Sequence, residues 1–187
     1  MRLAKPRIAP LSDAELTPDQ EEALKDFRPG PVLNIFRTLV RAPKALTRFN
    51  AWGGYVLSRR NDLPAREREI VILRTGFLCR SGYEFTQHTR IGLQSGLTAD
   101  EIEAIKRGAD AGWSAADAAL IRATDELHAD QFITDATWAE LSRHFSEKQR
   151  MDVVFTAGQY TQVSMMLNTF GVQLDAGQTL DPELKGY

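Results

Sequence analysis

The chain has 187 residues, 43% of them hydrophobic and 26% charged, which is enough apolar material to bury a core as one domain and excludes disorder as the default. A formal net charge of -2 and a pI near 6.0 give no basis for binding nucleic acid or an anionic membrane surface. No apolar run approaches the roughly 20 residues that span a bilayer, and the opening MRLAKPRIAP lacks the apolar stretch of a secretory signal, so the expected location is cytoplasmic.

Strand signals are scarce and helix starts recur, so the expected fold class is all-α. Helices are predicted over approximately 18–27, 33–40, 44–60, 65–79, 81–95, 99–108, 115–131, 135–143 and 147–172. Thr17 to Gln20, Thr98 to Glu101, Ser114 to Asp117 and Ser146 to Gln149 each resemble a capping box, in which a hydroxyl and a side chain three residues later satisfy free backbone N–H groups. Pro29-Gly30-Pro31 separates the first helix from the second, and Gly96 takes the position just past the end of the fifth. No linker is long or polar enough to divide the chain, so residues 1–187 are read as one compact helical bundle. A degenerate internal repeat is also indicated. Phe85-Thr86-Gln87-His88 is echoed by Tyr160-Thr161-Gln162-Val163, each downstream of an Arg/Lys-rich helix start, with Val163 where the first copy has His88.

The chemistry concentrates between Arg66 and Gly96, in REREIVILRTGFLCRSGYEFTQHTRIGLQSG. Ser81, Glu84 and His88 fall on one face of a helix, and a carboxylate beside an imidazole favours the protonated ring, as a proton-transfer group near neutrality requires. The competing reading is an exposed i,i+4 pair. Against it stand the aromatic and small neighbours Tyr83, Phe85, Gly82 and Gly92. On the preceding helix Glu69 shares a side with Leu73 and Gly76, where a largely apolar helix faces the core, and a buried carboxylate needs a partner or a function. Arg74, Arg80 and Arg90 are candidates to hold a substrate carboxylate, with surface or interface ion pairing the alternative. Trp52, Tyr55, Phe36 and Phe49 have the spacing of a pocket wall and equally of a core. Cys79 is the single cysteine, so no disulfide can close within the chain, and a buried hydrophobe is its commoner role. His88, His128 and His144 lie far apart, and no metal, nucleotide or phosphate motif is present, so neither metal nor cofactor is expected.

The run LPAREREIVILRTGFLCRSGYEFTQHTRIGLQSGLTADEIEAI, residues 63–105, strongly resembles the carboxymuconolactone decarboxylase family, relatives of the alkyl hydroperoxidase D-like proteins, with a looser likeness over about 30–174. The resemblance implies an all-helical bundle that assembles as a homo-oligomer, a dimer, trimer or hexamer. The hydroperoxidase branch carries Cys-x-x-Cys-x-x-x-His with an upstream Glu. Aligned on His88, the cysteine positions here are Ser81 and Glu84, Cys79 falls two residues short of the first, and Glu69 matches the upstream acid. Dithiol peroxidase chemistry is therefore not expected.

The remaining pattern looks like the decarboxylase branch, which implies a cofactor-free acid/base enzyme of lyase type acting on a small carboxylated lactone or aromatic-catabolism intermediate, with an anionic small molecule as its substrate. In that reading His88 is the general acid/base, Glu84 its partner, Glu69 a relay carboxylate and Arg74 or Arg80 an anion anchor, while Tyr83 and Ser81 donate hydrogen bonds and Trp52 lines the pocket. Two alternatives stand beside it: an antioxidant protein using Cys79 as a single thiol, and a non-catalytic helical oligomer that binds a small ligand.

Overall fold

The computed structural model describes residues 1–28 and 30–186, and all its regular secondary structure is helical. The helices are α1 (Pro18–Leu24), α2 (Asn34–Leu39), α3 (Pro43–Val56), α4 (Ala65–Leu78), α5 (Gly82–Gln94), α6 (Ala99–Arg107), α7 (Ala115–Asp130), α8 (Asp135–His144) and α9 (Glu147–Phe170). Short 3-10 turns at Asp13–Glu15, Lys25–Phe27 and Pro182–Leu184 complete the list. Of the expected break between the first two helices, Pro29 lies outside the described residues.

Three helices end two or more residues earlier than their periodicity suggests, each for a local reason. α1 stops at Leu24 and its continuation tightens into the 3-10 turn, a common way to satisfy terminal carbonyls. α3 ends at Val56 because the Ser58 hydroxyl donates to the Tyr55 carbonyl and accepts from the Arg60 N–H, bonds that compete with the helix ladder. α9 ends at Phe170 with Gly171 left-handed at φ 70° and the Val172 N–H reaching back to the Leu167 carbonyl at 3.0 Å. Gly96, at φ 104°, plays the expected role after α5.

Thr17, Thr98 and Ser146 form the expected boxes, whereas at Ser114 only the hydroxyl half forms, because the Asp117 carboxylate pairs with Arg66. Thr98, Ser114, Thr134 and Ser146 accept from the backbone N–H three residues on, and the Thr17 N–H donates to Gln20. Ser12 with Glu15 forms a further box that the sequence reading did not single out.

α4 is the axis of the bundle. It packs against α5, α6, α7 and α9, and every residue from Arg68 to Gly76 is buried, which accounts for its apolar character on all sides. Ile70, Leu73, Phe85, Leu120, Ile121, Leu141 and Val153 form the main core around it, while Leu24, Val32, Val40 and Leu46 build a second cluster under the N-terminal helices. The termini close over the bundle through the Met1 ammonium on the Leu184 carbonyl (2.6 Å) and Lys106 on Asp181 (2.6 Å).

The internal echo takes a different form from a repeated helix pair. The first copy spans the α4–α5 turn, whereas the second lies within the single unbroken α9. His88 and Val163 nevertheless line the same cavity.

Candidate active site

The turn joining α4 to α5 sets the site. Arg80 adopts a left-handed conformation at φ 53°, which is costly for a residue with a Cβ, and the Ser81 N–H bonds the Gly76 carbonyl at 2.9 Å. The chain therefore reverses sharply and α5 lies back along α4. Two glycines make the approach close: a Cβ on Gly76 would stand 3.3 Å from Glu84 Cγ, and one on Gly92 would stand 3.2 Å from Leu73 Cδ1. Glu84 consequently rests on Gly76, one helical turn from His88 and opposite Glu69.

His88 is held between the two carboxylates. Its Nδ1 lies 2.7 Å from Glu69 Oε2 and its Nε2 lies 3.0 Å from Glu84 Oε1. A carboxylate oxygen at each ring nitrogen favours the doubly protonated, imidazolium form, in which both nitrogens donate. Burial alone would pull this imidazole down, but the Glu84 charge and the hydrogen bonds the ring donates to Glu69 and Glu84 outweigh it and hold the pKa up at about 10. The Tyr160 ring meets the imidazole edge-on, with centroids 4.8 Å apart. Burial pushes the Tyr160 hydroxyl well above its usual range, and the Glu84 and Glu69 charges add to that.

A cavity of about 500 Å³ opens against this cluster. Its walls are largely apolar, with Leu33, Ile35, Phe36, Phe49, Leu57 and Val163 among them. Glu84 and His88 line it, as do Tyr83, Gln87, Gln159 and Tyr160, and Arg90 is an exposed lining residue. Glu69, 1% exposed, is not among the lining residues. The cavity reaches Glu84 and His88, and Glu69 and His88 are in contact rather than apart.

Several expected site residues stand elsewhere. Arg74 ion-pairs with Asp125 and donates to the carbonyls of Ile105 and Lys106 at 2.8 and 3.0 Å, so its buried guanidinium ties α4 to α6 and α7 and does not serve the cavity as an anion anchor. Arg80 is exposed and outside the cavity lining, because its left-handed backbone belongs to the turn. Trp52 is likewise outside the lining, 42% exposed and packed on Tyr55 and Phe155, and Tyr55 donates to Asp152 at 2.7 Å. Ser81 starts α5 with its hydroxyl buried and unpartnered, away from the lining. Tyr83 does line the cavity, but its hydroxyl donates to Asp175 at 2.6 Å, and burial together with that bond pushes its pKa up. Phe36 and Phe49 are walls as expected.

Cys79 is half-buried at the end of α4, with its Sγ 3.7 Å from Nδ1 of the exposed His128, and is not a lining residue. Burial pushes its thiol up, so the unreactive protonated form is favoured. No group of His, Cys, Asp and Glu suited to a metal occurs among the described residues, and no described helix is long and apolar enough to cross a membrane.

The sequence reading did not single out Asp175 or Gln159, and it named Tyr160 only as the counterpart of Phe85. Asp175 collects Tyr83, Gln87 (2.7 Å) and the Asn34 N–H (2.8 Å), pinning α2 and α5 together at the cavity wall. Gln159 and Tyr160 reach the cavity from α9.

Residues 43–126 match the model of the carboxymuconolactone decarboxylase family. Among curated proteins, none matches the chain in sequence. Solved structures share the fold. An alkylhydroperoxidase AhpD core, a peroxidase-related protein from Ralstonia eutropha, is 19% identical with TM-score 0.78, the match covering 92% of this chain and 95% of that one. The debrominase Bmp8 in complex with 2,3,4-tribromopyrrole is 13% identical with TM-score 0.75, covering 92% and 94% respectively. A peroxidase-related protein from a Silicibacter species is 16% identical with TM-score 0.75, covering 98% of both chains. With Glu69, Glu84 and His88 on the matched segment, the chain is similar to the carboxymuconolactone decarboxylase family over residues 43–126 and shares the all-helical fold of the AhpD core.

Proposed function

We propose that the protein is an acid/base enzyme of the carboxymuconolactone decarboxylase-like lyase type, acting through its own side chains on a small, largely apolar carboxylated lactone or related intermediate. The observation that carries this reading is the bridging of Glu69 and Glu84 by His88, at 2.7 and 3.0 Å, at an apolar cavity. When the carboxylate of such a substrate leaves as CO2, the bonding pair passes into the ring carbonyl as an enolate, which must then take one proton. His88 stores that proton. Glu84, beside it on the cavity surface, passes the proton from the imidazolium to carbon, and Glu69 orients the ring from behind. Water then restores the imidazolium. One carboxylate charge in excess at Glu84 and Glu69 disfavours a substrate anion there, so the substrate's carboxylate points towards Arg90.

The test is a panel of carboxylated lactones assayed for CO2 release in D2O with wild type and His88→Gln. Wild type releases CO2 and places one deuteron on the product carbon, and the variant is slower by about 10²–10⁴-fold. Full activity in the variant overturns the reading. The exposed Met151, Val154 and Met165 along α9 support self-association, which native mass spectrometry measures directly.

A further inference from the structure

We propose that the Tyr160 hydroxyl is the hydrogen-bond donor that receives the substrate's carbonyl oxygen and holds the enolate as it forms, an assignment that rests on the reaction proposed above. Of the described tyrosines, Tyr55 and Tyr83 give their hydroxyls to Asp152 and Asp175. The Tyr160 hydroxyl bonds no described residue. Tyr160 lines the cavity from α9 and is 5% exposed, and its oxygen is not sealed like the unpartnered hydroxyls of Thr156 and Ser164 on the same helix, so a molecule in the cavity reaches it. A phenylalanine would fill the same place against Val56 and Ile72 without leaving a polar atom unpaired. The ring stands beside the reacting groups. It meets His88 edge-on with centroids 4.8 Å apart, and Glu84, bonded to the same imidazole, borders the cavity with it. Burial and the charges of Glu84 and Glu69 keep the hydroxyl protonated, with Arg68 acting on it in the opposite sense. A neutral donor is therefore present near pH 7. As CO2 departs, the bonding pair settles on the carbonyl oxygen, to which the Tyr160 O–H donates while keeping its own proton, and the proton for carbon still comes from His88 through Glu84. A donor fixed where charge develops bonds the transition state more strongly than the substrate.

Binding reads the donor without turnover. Coumarin, a flat lactone that accepts through its carbonyl and has no carboxylate to lose, and 2H-chromene, in which a methylene replaces that carbonyl, are titrated by calorimetry into wild type and Tyr160→Phe. The variant keeps the ring against His88. It should bind coumarin about three- to tenfold more weakly, the size of one neutral hydrogen bond, and 2H-chromene as wild type does. The infrared carbonyl stretch of bound coumarin should rise in frequency in the variant, a shift that a purely structural role for Tyr160 would not produce. No binding of coumarin to wild type, an equal loss for both ligands, or an unmoved stretch each overturns the proposal. On a lactone that is decarboxylated, Tyr160→Phe should lower kcat by about 10²–10³-fold, and an unchanged kcat also overturns it. Full activity in His88→Gln would instead remove the proton-transfer reading and leave the coumarin result standing.

Discussion

Glu69 and His88, 19 residues apart and on different helices, meet at 2.7 Å with both side chains almost wholly buried. Removing the charge at Glu69 leaves the imidazole held by Glu84 alone. Glu69→Gln is therefore expected to lower kcat by about tenfold or more while KM changes little, because Glu69 is not a lining residue. Steady-state kinetics on a turned-over lactone check this, and an equal fall in affinity for substrate would assign Glu69 to binding instead.

Stability should depend on the same imidazolium. Its pKa is raised from the ordinary 6.5 to about 10, so the folded state binds the proton more tightly than the unfolded chain. The contribution is complete below about pH 6.5 and is lost as pH rises through about 10. Urea denaturation at pH 6 and pH 10 should show wild type losing more stability across that interval than His88→Gln does.

The thiol should be dispensable. With burial raising its pKa, Cys79 is expected to react with iodoacetamide more slowly at pH 7 than free glutathione, and to speed up as the pH rises. Cys79→Ser should keep lactone turnover. Peroxide consumption that disappears in Cys79→Ser would instead support a single-thiol antioxidant.

Asp175 gathers three donors from two helices at the cavity wall. Asp175→Ala strands the buried Tyr83 hydroxyl and the Gln87 amide, and is expected to cost about 2–4 kcal/mol, read from denaturant midpoints at constant m-value.

Gly76 is where α5 rests on α4. Gly76→Val overpacks the contact by an amount worth about 1–3 kcal/mol and pushes Glu84 away from His88. The alkaline limb of the kcat profile should then move to lower pH, since the Glu84 charge is the chief influence raising the imidazole. An unmoved limb would show that the pair tolerates the displacement.

The helical order was legible because local signals carry it: capping hydroxyls at Thr98, Ser114 and Ser146, a glycine after α5, and the apolar run Ile70–Leu73 in α4. The pairing of Glu84 with His88 was legible too, since four residues on a helix bring side chains together in any fold. Glu69 could be placed on the core side of α4, because its neighbours at helical spacing are apolar.

What the chain alone determined is therefore local: the helices, most of their ends, the Glu84–His88 pair and a single cysteine that cannot form a disulfide within the chain. Only the tertiary structure decided which long side chains face the cavity. Arg74 reaches Asp125 and two carbonyls instead, Trp52 lies outside the lining, and Gln159, Tyr160 and Asp175 arrive from residues far along the chain. The reason is reach. An arginine, tryptophan or glutamine can point to either side of its helix, and the side it takes depends on which partners other helices bring within hydrogen-bond distance.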